Sequence, residues 1–441
     1  MRKLFTLATT YRLMSNNSQV IFHTSECILI RMNRIIVILG RQPELGLVEL
    51  ESLFGTKNIN PLNNNKAALL SIQKSEFPMS RVGGTIKAAS FISEIPTTDW
   101  KKVESYIIEI LPKLIESKAV GKKISLGVST YGFGMRVGTL NTSILSIKKG
   151  LKLAKSIQSP SLRIIPNKEL SLNSAQIIHN RLISSHGLEI IIINNGKNTI
   201  IGQSISVQDI ESYATRDYGR PFRDTRVGML PPKLAQIIIN LAISNRDSTK
   251  EEIHVFDPFC GTGVVLQEAL LMGLFAMGAD LNSRMVQYTT QNLHWLYEKF
   301  NYSGMLLNVD VADATSARWT NPFDTIACET FLGRPFSAEP KPESLNQVIR
   351  DVDTIHRKFL RNVTRHPNVI SATENGREFR MCIAVPVWKT KTGFRHLPVL
   401  DELRELGYTR VSFVHAGNKD LIYHREGQIV ARELVVLTRH V

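Results

Sequence analysis

Hydrophobic residues follow two different spacings along this chain, and the places where one gives way to the other divide it into parts. Ile35-Ile36-Val37-Ile38-Leu39 is a short continuous apolar run, the pattern of a buried strand. Gly40 to Glu44 interrupts it, and from Leu45 to Phe54 apolar residues recur at helical spacing up to Gly55. Between Pro96 and Ser206 the spacing predicts helices over 103–114, 143–155 and 173–184, and strands over 123–129, 188–193 and 199–206. Such a mixture reads as α+β, in a unit of about one hundred residues, the usual size of an autonomous domain. From Ile253 onward, strand-like runs at 253–259, 275–281, 305–311, 323–329 and 380–385 alternate with helical patterns. Alternation of that kind makes the C-terminal part α/β, a parallel sheet with helices on both faces. Arg410 to Val414 and Ile429 to Thr438 follow without a helix between them and predict an antiparallel hairpin at the sheet edge.

These patterns place a small α+β N-terminal domain at 32–95, a second α+β domain at 96–206, a linker at 207–227 and the α/β domain at 228–441. The linker assignment rests on Gly, Pro and charge content around Arg216, Arg220, Arg223 and Arg226. Residues 1–31 are basic, rich in Ser and Thr, and carry only Glu26 as an acid; they read as an N-terminal extension, disordered, transit-like or the product of a start assigned too early.

The chain has 441 residues, enough for two or three cores, and 54 Lys and Arg against 39 Asp and Glu, a formal net charge of +15. A surplus of that size favours a polyanionic partner, because Lys and Arg neutralise phosphates and release counterions. No apolar run approaches the roughly 18 residues that span a bilayer, so no membrane segment is expected. Cys27, Cys260, Cys328 and Cys382 form no CxxC pair, and His254, His294, His356, His396, His415, His424 and His440 show no HxxxH or HExxH spacing. Neither a disulfide framework nor a metal site is expected, and the compartment reads as reducing and cytoplasmic.

The strongest chemical signal is His254-Val255-Phe256-Asp257-Pro258-Phe259-Cys260-Gly261-Thr262-Gly263, which leads from a strand into a helix. Gly261 and Gly263 let the backbone turn sharply and approach a ligand, and the helix start presents free amides. Asp280 ends the next strand, where an acid in an open α/β sheet accepts hydrogen bonds from ribose hydroxyls. Cys260, inside the loop, reads as a small space-filler. Arg216, Arg220, Arg223 and Arg226, interleaved with Tyr213, Tyr218 and Phe222, suit phosphate contacts and base stacking, or equally a solvated linker.

With these residues in view, the run DPFCGTG resembles the cofactor loop of S-adenosylmethionine-dependent enzymes that methylate exocyclic amines of nucleic acid bases. More closely, the chain resembles the tRNA guanosine-10 N2-methyltransferase family and its bacterial relatives, which carry a THUMP domain before the catalytic domain. Residues 38–45, Arg216-Asp217-Tyr218-Gly219-Arg220-Pro221 and Gly228-Met229-Leu230-Pro231-Pro232-Lys233-Leu234-Ala235 carry the likeness along with the loop, over about four hundred residues. The resemblance implies a Rossmann-like class I methyltransferase domain preceded by α+β N-terminal and THUMP-like RNA-binding domains, with S-adenosylmethionine as cofactor and tRNA as partner. It implies that Asp257, Phe259, Gly261 and Gly263 shape the cofactor pocket, that Asp280 holds the ribose, and that Asp313, or alternatively Asp310, accepts the adenine amine. The turn at Pro231 would close the pocket.

One segment departs from the family. Where relatives commonly have Asp-Pro-Pro-Tyr-Gly, this chain has Glu329-Thr330-Phe331-Leu332-Gly333. An exocyclic guanine amine is a poor nucleophile, and a carboxylate with a backbone carbonyl serves to point its lone pair at the methyl group. Glu329 keeps the charge one methylene further out, the Thr330 carbonyl stands in for that of proline, and Phe331 or Phe336 offers stacking. These make Glu329, Thr330 and Phe331 the candidate catalytic residues. The alternatives are a DNA amino-methyltransferase, which would need a target-recognition region not evident here, or a catalytically degenerate RNA-binding protein.

Overall fold

The computed structural model describes residues 34–116, 118, 123–153, 161–223, 229–246, 250–336, 338 and 340–439. The N-terminal extension, Cys27, Arg226 and His440 lie outside them.

The first half builds one sheet. Its elements are β1 (Ile35–Leu39), α1 (Pro43–Phe54), β2 (Ile59–Leu62), β3 (Ala67–Leu70), β4 (Thr85–Ile95), α2 (Trp100–Glu116), β5 (Ile124–Tyr131), α3 (Val137–Leu153), β6 (Leu162–Ile164), α4 (Ser174–His179), β7 (Gly187–Asn195) and β8 (Asn198–Val207). The strand order is β2-β3-β1-β4-β8-β7-β5-β6. Antiparallel pairing of β4 with β8 joins the 32–95 segment to the 96–206 segment, so the two share a single sheet. β1 is buried along its whole length because successive residues face two cores: Ile35 and Val37 pack with α1, Ile36 and Ile38 with Ile191 and Ile193. Near the middle of this sheet, Lys87 is paired with Glu189 at 2.7 Å, both essentially inaccessible, and Ser129 and Ser204 donate to the same carboxylate.

The second half contains α5 (Ile210–Tyr218), α6 (Pro232–Ile243), β9 (His254–Asp257), α7 (Val264–Leu271), β10 (Phe275–Asp280), α8 (Ser283–Lys299), β11 (Met305–Val311), β12 (Thr325–Glu329), α9 (Pro342–Val363), α10 (Pro367–Glu374), β13 (Phe379–Thr390), β14 (Gly393–Arg395), β15 (Thr409–Arg410), β16 (Ile422–Tyr423) and β17 (Val430–Arg439). Its order is β11-β10-β9-β12-β13-β17-β15, with β14 and β16 on the flanks. β9 to β13 are mutually parallel, and β17 runs antiparallel between β13 and β15. The expected α/β architecture and the antiparallel ending are both present. Alternate residues of each strand serve two cores: Val255, Ala327 and Cys382 face α6 and α7, while Phe256, Ile326 and Met381 face α9. The chain leaves β9 toward β10 on one side and returns to β12 on the other. This reversal opens a crevice at the carboxyl ends of β9 and β12, where open α/β sheets bind ligands.

Helix α1 belongs to both halves. Leu47 and Leu50 pack on the first sheet, whereas Leu45 and Val48 enter the core of the second beside α6. Glu49, fully buried between them, accepts from the Gly83 and Gly84 amides at 2.8 Å each and from Asn240 Nδ2 at 2.7 Å. The approach demands glycine: a Cβ on Gly83 would lie 2.0 Å from the Lys233 carbonyl oxygen, and one on Gly84 2.4 Å from Gly46 Cα.

The expected linker is corrected in part. Residues 210–218 are helical, and Arg216 is buried with its Nε 2.9 Å from Glu268 Oε1, inside a cluster that includes Gln236. Arg220 is also buried and donates to Thr262 Oγ1 at 3.2 Å. A carboxylate 52 residues away absorbs the Arg216 charge, so that side chain braces the glycine-loop helix, while Arg223, over the Tyr218 ring, is exposed.

Candidate active site

The crevice at the switch point is a cavity of about 920 Å³. Asp257 ends β9, and the chain then turns through Phe259, Cys260 and Gly261 into α7. Gly261 and Gly263 hold φ of 53° and 84°, and a Cβ on Gly263 would meet Thr289 Cγ2 at 2.8 Å. The loop is braced from α8: Thr289 Oγ1 donates to the Gly261 carbonyl at 2.7 Å and Asn292 Nδ2 to that of Thr262 at 2.9 Å. Asp257, Phe259 and Gly261 line the cavity; Gly263 sits behind it as the cap of α7. Burial pushes the Asp257 carboxyl well above the usual range, although the Phe259 amide donates to it at 3.0 Å. Burial likewise pushes the Cys260 thiol up, in keeping with a space-filling role.

Asp280 closes the end of β10. Its Oδ2 accepts from the Gly261 amide at 3.0 Å and its Oδ1 from the Asn282 amide at 2.8 Å, which fixes the carboxylate while each oxygen retains a lone pair for a ligand. Partial burial raises its pKa against those two bonds. Of the two acids considered for the third strand, Asp313 lines the cavity and Asp310 lies within β11, outside it. Thr315 donates to Asp313 through both its amide and its hydroxyl, at 2.8 and 2.7 Å, and holds that carboxyl below its ordinary value. At the remaining wall Met229 and Leu230 meet the cavity, and Pro231, which caps α6, does not.

The end of β12 supplies the other face. Glu329, Thr330, Phe331, Leu332 and Gly333 all line the cavity. Phe331 is 44% exposed there, whereas Phe336 packs on the core and is absent from the wall. Thr330 is buried and anchored through both its amide, which donates to the Ala384 carbonyl at 3.0 Å, and its hydroxyl, which lies 2.7 Å from His356 Nε2. His356 Nδ1 is 2.8 Å from the Val352 carbonyl, which must accept, so Nε2 of the neutral ring is an acceptor and shares the one Thr330 hydroxyl proton with the Ala384 carbonyl at 3.1 Å. Burial lowers the His356 pKa to about 4 and keeps that ring neutral. Burial raises the Glu329 pKa, and the Arg432 guanidinium opposes the shift. His356 and Arg432 escaped the sequence reading because they lie 26 and 103 residues from their partners and belong to no local pattern.

Among the described residues no group of three or more His, Cys, Asp or Glu is arranged to hold a metal, and no helix is long and apolar enough to cross a membrane. Residues 220–396 match the RMKL-like methyltransferase domain. The chain is similar to curated relatives named tRNA (guanine(10)-N2)-dimethyltransferase: 34% identity over 142 residues to that of Methanothermobacter thermautotrophicus, covering 32% of this chain and 38% of the relative. The protein of the same name from Pyrococcus abyssi is 27% identical over 267 residues, 56% of this chain and 72% of the relative. The alignment with the first thus spans well under half of that protein's length. Among solved structures, TrmN from Thermus thermophilus aligns over 92% of this chain and 99% of its own with 14% identity and a TM-score of 0.47.

Proposed function

We propose that the chain methylates the exocyclic N2 amine of a guanosine in tRNA, with S-adenosylmethionine as methyl donor. The observation that carries this reading is one cavity in which Asp257 and Asp280, at strand ends, and Asp313, two residues past the end of β11, line the wall together with Glu329, Thr330 and Phe331. The residues suit the cofactor: Asp280 is fixed by two backbone amides with acceptor capacity to spare, and the left-handed Gly261 leaves the floor free of a side chain. When bound, that cofactor supplies an electrophilic methyl group on a sulfonium, and the bond electrons stay on sulfur as the methyl leaves. The protein's part is placement. Glu329 accepts a hydrogen bond from the amine, the Thr330 carbonyl, held in place by His356 and Ala384, accepts a second, and the lone pair is turned toward the methyl group. Phe331 stacks on the base, which has to leave a paired helix to reach the cavity. Once the amine is methylated its surplus proton passes to the Glu329 carboxylate or to water. The names borne by the two archaeal relatives support guanosine as the target.

In the same reading residues 96–206 are a THUMP-like RNA-binding domain and 32–95 a small domain beside it, both gripping the tRNA. The shared α1 and the β4–β8 pairing support a fixed spacing between grip and active site. The protein acts in the cytoplasm. Methyl transfer from labelled S-adenosylmethionine to unmodified tRNA transcript, with the product nucleoside identified by mass spectrometry, tests the proposal. The expected product is N2-methylguanosine, lost in Glu329→Ala. Methylation of DNA instead, or cofactor binding without transfer to any tRNA, would overturn it.

A further inference from the structure

Glu329 does not stand alone. Arg432, on β17, donates from Nε to Glu329 Oε1 at 2.5 Å, and its side chain is 6% exposed. Strand register makes the contact possible. Glu329 is level with Ala384 of β13, which is level with Leu434 of β17, and Arg432 lies two residues along on the same face as Leu434. The small Ala384 side chain leaves a path over β13 for the guanidinium. Fold stability is a weak reason for such a pair, since a buried ion pair is often no better than apolar residues of the same volume. Its position suggests another: Arg432 occupies one carboxylate oxygen, and Oε2, on a residue that lines the cavity, has no hydrogen-bond partner among the described residues.

We infer that Arg432 is a positioning residue, which bends the longer Glu329 side chain into place and keeps its carboxylate ionised with Oε2 offered to the incoming amine. The inference rests on the reading of Glu329 given above. The groups that face Glu329 are Asp257 from β9 and Arg432 from β17, with Lys358 of α9 further along the cavity wall. Asp257 cannot help ionise it, because a second carboxylate only disfavours the charge. Removal of Arg432 therefore leaves burial unopposed, and Glu329 holds its proton to higher pH.

The experiment compares the full chain with Arg432→Met and Arg432→Lys. Single-turnover methyl transfer to tRNA is measured between about pH 5.5 and pH 9, S-adenosylhomocysteine affinity by calorimetry, and the Glu329 carboxyl midpoint by infrared titration against Glu329→Gln. Arg432→Met is expected to move the acid limb and the infrared midpoint upward by at least about one pH unit. The rate below the limb then falls roughly tenfold and recovers in alkali, since one pKa unit is one decade of protonation. Cofactor affinity stays within about twofold, and Arg432→Lys returns the midpoint without the full rate, because lysine lacks the fixed fork. An unmoved midpoint, or a loss of rate equal at every pH, would overturn the inference. If Arg432→Met does not fold, Arg432→Gln is read in its place. A wild-type chain that methylates no tRNA overturns the proposed substrate, while the infrared midpoint, which needs no turnover, still decides the role of Arg432.

Discussion

Glu49 offers a direct measure of how tightly the two sheets are coupled. Its carboxyl is wholly buried at their junction, and burial raises its pKa from 4.5 to about 7 in spite of the bonds from Asn240, Gly83 and Gly84. A carboxyl with a higher pKa folded than unfolded binds its proton more tightly in the folded chain. Its contribution to stability is therefore fully present below about pH 4.5 and lost as pH rises through about 7. A rise from 4.5 to about 7 amounts to roughly 3 kcal/mol, most of which falls between pH 5 and pH 8. Glu49→Gln removes the titration, and with its amide oxygen in the Oε1 place its NH2 opposes one of the three donors, that of Gly84, at about 1–3 kcal/mol independent of pH. Urea unfolding followed by tryptophan fluorescence gives the stability of both proteins at intervals across that range. His356 titrates in the opposite sense, its pKa being lowered to about 4, but it is common to both chains and cancels in the difference. The glutamine variant should gain roughly 2–3 kcal/mol on wild type from pH 5 to pH 8. A difference that is flat to within about 1 kcal/mol, or that falls, would refute the assignment of the buried charge to Glu49.

Other perturbations test the site and the frame. Gly263→Ala forces a side chain into a left-handed position against Thr289 and should cost about 1–3 kcal/mol in unfolding free energy, with weakened S-adenosylhomocysteine binding by calorimetry. Asp280→Ala removes the acceptor tied to Gly261 and Asn282 and should weaken that ligand at least about tenfold with little change in thermal midpoint; an unchanged affinity would move the ribose site elsewhere. Lys87→Met should destabilise the N-terminal sheet by about 3–5 kcal/mol, because Glu189 is left as a buried unpaired charge. Lys87→Met combined with Glu189→Leu should recover more than half of that loss in the same denaturation assay.

Local pattern carried the sequence a long way. The apolar run of β1, the helical spacing of α1, the strand–glycine–helix turn at 257–263 and the acid at the end of β10 were legible because each depends on residues within one strand or one helical turn. So was the carboxylate at the end of β12, since a charge closing an apolar strand is visible in the chain itself. Tertiary structure alone decided the rest. Where β11 ends, and hence that Asp313 and not Asp310 reaches the cavity, depends on a pairing with β10 whose register shifts between Ala276 and Met277. That Arg216 faces Glu268 instead of solvent, that Thr330 hangs from His356, and that Arg432 reaches Glu329 over Ala384 all follow from segments brought together by sheet order. Hydrophobic periodicity fixes which face of an element is buried. It is silent on which distant element covers that face, because pairing partners are chosen by the summed packing of the whole chain, and the charges of this site are set by those partners.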